Sequence, residues 1–138
     1  MRQWSFAPAC LLLSACSSGL EEHAALWRDR GPPSYQYTHG AGGFSPHIVL
    51  RVTVRSRAVS GTTALESAGF PGPFTGWTME QLFEDIRGRL DDACKTTARY
   101  DEALGYPLSV YSDCGEEGDG WTVTDFVPGA APDAGTGP

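Results

Sequence analysis

The sequence predicts an α+β domain: an antiparallel sheet of about five strands packed on one face against a helix, with a short N-terminal helix ahead of it. Three observations carry that prediction. Ile48 to Arg55 reads as the clearest strand, with Leu50, Val52 and Val54 on one side and Arg51, Thr53 and Arg55 on the other. That is the period of a half-buried strand. Leu82, Ile86 and Leu90 recur at i, i+4 and i+8, and Phe83 broadens them into the apolar stripe of a helix lying on a core. Cys94 and Cys114 bracket two segments rich in β-branched and aromatic residues, the composition of a stapled hairpin. A chain of 138 residues has room for one such domain and not for two.

From the N-terminus, Arg2 supplies a positive start and Trp4 to Leu13 a short apolar run. The run is too short to span a bilayer, which needs roughly 20 apolar residues. Leu13-Ser14-Ala15-Cys16 resembles the bacterial lipobox, where a Cys receives diacylglycerol and a dedicated signal peptidase cuts in front of it. The resemblance implies a signal peptide over 1–15, a covalent lipid at Cys16 and a tether over 16–23, opening on the flexible Ser17-Ser18-Gly19. The lipid would hold the protein on the extracytoplasmic side of the cell membrane or the outer membrane. Ser17, where an inner-membrane retention signal usually places Asp, leans to the outer one.

Leu20 to Arg30 reads as the short helix, with acids in its first turn and arginines in its last, as the helix dipole prefers. Gly31-Pro32-Pro33 stops it. Ser34 to His39 alternates as a strand, Tyr35 and Tyr37 against Gln36 and Thr38, and Gly40 to Pro46 reads as a loop. After the strand over 48–55, Ser56-Arg57 turns the chain into a partner strand over 58–63. An irregular stretch follows from Ala64 to Trp77. Thr78 and Gln81 fit a capping box for the helix near 78–92. Asp85 and Arg89 support that helix as an i, i+4 pair, while Gly88 weakens it by up to ~1 kcal/mol. Residues 96–100 and 108–113 are the hairpin strands, joined by a loop containing Gly105 and Pro107, and Trp121 to Phe126 is the last strand. The domain thus spans 24–127, and 128–138, rich in Pro and Gly, reads as a disordered tail.

With Cys10 in the signal and Cys16 carrying lipid, Cys94 and Cys114 remain. If Tyr100 faces Leu108 across the hairpin, the same register brings Cys94 opposite Cys114, where facing Cβ atoms are close enough to bond. An oxidising compartment preserves such a bond. A zinc pair has no nearby His to complete it, and a redox pair would show C-x-x-C. A structural disulfide is the better fit.

The ordered set Trp27-Arg28 with Gly31, Ser34-Tyr35-Gln36-Tyr37-Thr38, Leu50 to Val54, Thr78 to Ile86, Tyr100-Asp101-Glu102-Ala103-Leu104-Gly105-Tyr106-Pro107 and Thr122-Val123-Thr124-Asp125-Phe126 resembles a family of small bacterial lipoproteins known only as a domain of unknown function. The resemblance covers roughly 24–127. The YD-x-x-x-GYP element followed by a strand ending in DF is its most specific part. Many members carry a close Cys pair where this chain has Gly40-Ala41-Gly42-Gly43-Phe44, so a disulfide or metal role there does not transfer. The resemblance implies location and fold, and no activity.

A formal charge of −7, with ten scattered basic residues, argues against nucleic acid as a partner, since phosphate binding draws on clustered Lys and Arg. No G-x-S-x-G elbow, H-E-x-x-H or P-loop is present, so the sequence predicts no enzyme. It predicts instead a binding or scaffolding module of the envelope, held by its lipid and partnered by another envelope protein. Three groups are candidates for chemistry. His39 and His47 flank one loop, and with the acidic loop they form the alternative of a small metal-dependent ligand-binding protein or hydrolase. Asp113, Glu116, Glu117 and Asp119 sit in a glycine-rich loop with oxygen ligands of the kind calcium takes, although an acidic turn between strands is usually just solvated. Tyr100, Asp101, Gly105, Tyr106 and Pro107 form a stiff aromatic loop that is either pure architecture or a grip for a partner.

Overall fold

The computed structural model describes residues 19–43, 47–92 and 94–129. The expected signal peptide over 1–15, Cys16 and residues 130–138 of the expected tail lie outside the described residues. The elements are α1 (Leu20–Arg30), β1 (Tyr35–Gly43), β2 (Ile48–Arg55), β3 (Ala58–Glu66), α2 (Met79–Leu90), β4 (Lys95–Tyr100), β5 (Pro107–Asp113) and β6 (Gly118–Pro128).

The strands form one antiparallel sheet in the order β3-β2-β1-β6-β5-β4. It is two three-stranded meanders, joined where β1 pairs with β6. Strands β3 and β4 follow one another in the chain yet lie at opposite edges. The connection between them must therefore cross the sheet, and α2 lies in that crossing. Its Met79, Leu82, Phe83 and Ile86 are buried, while Leu90, the predicted end of the stripe, is exposed. Helix α1 covers the same face through Trp27, whose ring meets Tyr35, Tyr106 and Phe126 edge-on. Beneath the helices lie Tyr35, Tyr37, Leu50, Val52, Val54, Val110, Trp121 and Val123, all buried. Each such side chain contributes about 1.5–3 kcal/mol by leaving water.

Two tyrosines of β1 fix where α2 begins. The Met79 backbone N–H, one of the helix's unpaired first-turn donors, donates to Tyr35 Oη at 2.8 Å, and Tyr37 Oη donates to the Trp77 carbonyl at 2.6 Å. Burial pushes both phenols well above their ordinary pKa. The capping box is present in both directions: Thr78 accepts from the Gln81 N–H, and Gln81 accepts from the Thr78 N–H.

The expected α+β arrangement of about five strands and a covering helix is corrected by the structure. The fold has six strands and is dominated by its sheet, with strands of six to 11 residues against two helices of 11 and 12. Strands run further than their composition suggests: β3, expected to end at Thr63, continues to Glu66. Strand β1 continues through Gly40, Ala41, Gly42 and Gly43, placed in a loop by composition, because β2 pairs it as far as Ala41 and β6 as far as Gly43. Strand β6 extends to Pro128 through its pairing with β1 alone, where Pro128 faces Tyr35. Ladder pairing outweighs the low strand propensity of glycine. Helix α1 likewise starts at Leu20, inside the segment 16–23 assigned to a tether.

Cys94 and Cys114 form the disulfide, their Cα atoms 4.5 Å apart. The hairpin keeps the expected register from Lys95 opposite Asp113 to Arg99 opposite Ser109. It slips at the loop end, where Tyr100 faces Pro107 and not Leu108.

Candidate functional site

Strand alternation places Tyr35, Tyr37 and His39 on the helix-covered side of β1. The first two lie under α2. His39 lies one step further along, among aromatic rings: its centroid is 5.8 Å from Trp77 and 5.7 Å from Trp121, the latter edge-on. Here the covering layer thins and a cleft of about 350 Å³ opens. Its walls are apolar, with Ile48 and Leu50 from β2, Phe74 and Trp77 from the connection before α2, and Trp121 from β6. Arg89 and Asp119 add charge.

The polar side of the cleft is a continuous network. Asp85 Oδ2 accepts from Arg89 Nε and from Trp121 Nε1, each at 2.7 Å. The same guanidinium donates to Ser112 Oγ at 3.0 Å and to Asp119 Oδ1 at 3.1 Å, and Ser112 meets Thr96 Oγ1 at 3.0 Å. Burial opposes the charge of Arg89, but hydrogen bonds to Asp85 and Asp119 outweigh it and hold its pKa above the usual arginine value. One cation is thus shared by two carboxylates, and the local charge is negative.

His39 stands apart from this network. It is 9% exposed, and its Nε2 is buried with no hydrogen-bond partner among the described residues. Burial lowers its pKa to about 4 against the raising influence of Asp85, so the ring is neutral at pH 7. A buried ring nitrogen without a partner is a polar group that the described residues leave unsatisfied.

The remaining candidates are placed elsewhere. His47 lies on the open face of the sheet, beside Gly42 and in a shallow hollow with Tyr111 and Thr122, so the sheet separates it from His39. In the acidic loop, Asp113 accepts from the Gly115 N–H at 3.0 Å, Asp119 pairs with Arg89, and Glu116 and Glu117 are exposed. Among the described residues no three or more His, Cys, Asp or Glu side chains are grouped to hold a metal ion. The YDEALGYP loop is folded into the core. Tyr100 stacks on His23 at 4.5 Å and Tyr106 on Phe126 at 4.4 Å, Pro107 is fully buried, and Asp101 Oδ2 caps the turn by accepting from the Ala103 and Leu104 N–H groups. Gly105 N–H donates to the Asp101 carbonyl at 2.9 Å.

Sequence reasoning missed the walls of the cleft. Trp77 and Phe74 sit in a stretch with no period, Trp121 counted only as a strand residue, and Asp85–Arg89 only as a helix-surface pair. One signal was available: continuing the Tyr35, Tyr37 alternation by one step puts His39 on the core side, where a lone polar residue asks for a partner.

A sheet of two meanders, stapled at one hairpin and covered on one face by two short helices, carries this cleft at the end of its covered face. The chain belongs to a family of unknown function, DUF6174, whose model matches residues 19–128. No curated protein and no solved structure matches it.

Proposed function

We propose that the protein is an extracytoplasmic lipoprotein of the bacterial envelope, anchored through Cys16, whose folded part is a non-enzymatic binding module. The observation that carries the binding reading is the cleft: apolar ring walls, a negative rim and a buried His39 Nε2 left without a partner. Sites of this make-up, mostly apolar with a few convergent polar groups, are those that hold ligands. The anchor rests on the lipobox Leu13-Ser14-Ala15-Cys16. With α1 starting at Leu20, only a few residues would separate the lipid from the domain.

The hydrolase alternative needs His39, His47 and the acidic loop in one pocket. Asp119 shares the cleft with His39, and His47 is on the other side of the sheet. A histidine that activates a nucleophile is hydrogen-bonded to it, whereas His39 Nε2 has no such bond among the described residues.

Three experiments test the reading. Replacing Cys16→Ala should abolish labelling by a fatty-acid analogue, and persistent labelling would remove the anchor. Crosslinking of the anchored protein in cells, followed by mass spectrometry, should capture one dominant envelope component. Ester or amide hydrolysis by the purified domain that disappears in His39→Phe would replace the binding module with an enzyme.

A further inference from the structure

We infer that β3 is an interface for a second copy of this chain, pairing antiparallel with β3 of that copy about a two-fold axis at Thr62. The inference does not draw on the cleft and goes beyond the binding-module reading.

The two edges of the sheet are built differently. Strand β4 carries Lys95 and Arg99 among its six residues, and Cys94 ahead of it is bonded to Cys114. Charged side chains on an edge deter pairing with another strand. Strand β3 has no charge and no proline from Ala58 to Leu65, and most of its residues are exposed. Among the described residues its only backbone partners lie on β2, so one row of its N–H and C=O groups is open. The segment that follows passes on the helix side, where the Gly76 N–H donates to Thr62 Oγ1 at 2.9 Å. Two irregularities interrupt the register with β2, at Thr53/Val54 and at Val49/Leu50. Bulges also guard edges, and these two confine the regular ladder to 61–64. The ends of the strand must therefore contribute to the contact along with its middle.

The ends select the occupant. Arg57 precedes the strand and Glu66 closes it, opposite charges that are both exposed. Arg57 meets Glu80 at 3.8 Å in open solvent, and Glu66 has no ion pair among the described residues. An antiparallel pair of β3 strands brings each copy's Arg57 beside the other's Glu66, at both ends; a parallel pair would set like charges together. Neighbouring pairs in an antiparallel ladder alternate between hydrogen-bonded and non-hydrogen-bonded, so a two-fold axis must set a residue against its own copy. With Thr62 on the axis, Gly61 faces Thr63 and Ala58 faces Glu66, one residue from Arg57. Leu65, 47% exposed, is brought near Val59 of the other copy. The edge is its own complement in charge and in register.

The test uses the full chain in cell membranes, with the photo-crosslinking residue p-benzoylphenylalanine placed at Thr63. The same residue at Thr97, exposed on β4, serves as the reference. Gly61 opposite Thr63 leaves room for the added rings. Irradiation of the Thr63 variant should give a product of twice the chain's mass, with both crosslinked peptides from β3, and the Thr97 variant should not. Arg57→Glu and Glu66→Arg, each alone, should lower the Thr63 yield about tenfold, since two contacts per pair turn from attraction to repulsion. Combining them should restore it, and that rescue separates a lost contact from a lost fold.

Capture of a different protein at Thr63 overturns the second copy as occupant, and no product there overturns the pairing. Equal yields of doubled product from Thr63 and Thr97 mean chance meetings in the membrane plane and overturn the edge. Single reversals without effect, or a double reversal without rescue, overturn the antiparallel arrangement.

Discussion

The indole N–H of Trp121 donates to Asp85 at 2.7 Å, joining the middle of the sheet to α2 across 36 residues of chain. The same carboxylate oxygen holds Arg89, and Arg89 reaches Ser112 on β5 and Asp119 on β6. Asp85 is therefore the hub through which the helix is fixed over the two strands beside the cleft. Truncation by Asp85→Ala leaves a buried indole donor unpaired and Arg89 with half of its counter-charge. It should cost about 2 kcal/mol in urea unfolding, with a fall of roughly 10 °C in Tm. Asp85→Asn, which keeps an acceptor for Trp121, should cost less. An effect below the level of a surface substitution would mean the network is an ornament of the surface.

His39 gives the fold an acid-sensitive element. Its folded pKa, about 4, lies below the value of an exposed histidine, about 6.5. The unfolded chain therefore binds the proton first. The stability contributed by keeping the ring neutral is complete above pH 6.5 and is lost as pH falls toward 4. Asp85 faces the ring and moderates the loss, because its negative charge favours the imidazolium. Within the window the slope should approach 1.4 kcal/mol per pH unit, to a total of about 3 kcal/mol. Unfolding free energies of the wild type and His39→Phe, measured between pH 7.5 and 4.5, should diverge in slope by that amount. Parallel curves would mean that His39 protonates in place.

How much of this was legible in the residues depends on how far apart the partners lie. Local patterns transferred well: Thr78 and Gln81 do cap α2, Ile48–Arg55 is a half-buried strand, and the register extended from the hairpin does bring Cys94 to Cys114. Patterns set by non-local pairing did not. Nothing in Gly40-Ala41-Gly42-Gly43 says strand until β2 and β6 are known to lie on either side. The cleft is the extreme case, since Leu50, Trp77, Arg89 and Trp121 come from four separate elements or connections. The Tyr100–Pro107 loop shows the opposite limit. Its tyrosines, glycine and proline form a conspicuous motif, and the structure uses it to seat α1.

Two glycines should respond in opposite directions to the same substitution. Gly105 adopts φ +90, and a Cβ there would run into the His23 carbonyl and come within 3.0 Å of the Trp27 nitrogen, both backbone atoms of α1. Gly105→Ala combines a disfavoured left-handed residue with a collision against a helix, and should cost at least about 2 kcal/mol. Gly88 sits inside α2 with open space where its Cβ would be. Gly88→Ala should add up to about 1 kcal/mol by helix propensity alone. Thermal unfolding of the two variants beside the wild type checks both, and a neutral Gly105→Ala would show that the loop can withdraw from α1.

The β2–β3 turn offers the complementary case, a strained site that a sequence change should relieve. Ser56 and Arg57 both have positive φ, at 51 and 69, which makes this two-residue connection the mirror-image turn that matches strand twist. Neither residue favours that region; Asn-Gly does. The hydrogen bonds that fix the turn use backbone donors only, Ser56 N–H to Ser34 Oγ and Arg57 N–H to the Pro33 carbonyl, so they survive substitution. What is lost is the exposed Arg57–Glu80 pair at 3.8 Å, worth little in water. Relief of two left-handed non-glycine residues should exceed that loss and the added freedom of the unfolded chain. Ser56→Asn with Arg57→Gly should therefore stabilise the domain by about 1 kcal/mol, raising Tm by roughly 4–8 °C, and should slow amide exchange at the turn end of β3. If the melting temperature stays put while exchange slows, the turn opens locally without unfolding the sheet, and the strain belongs to that opening alone.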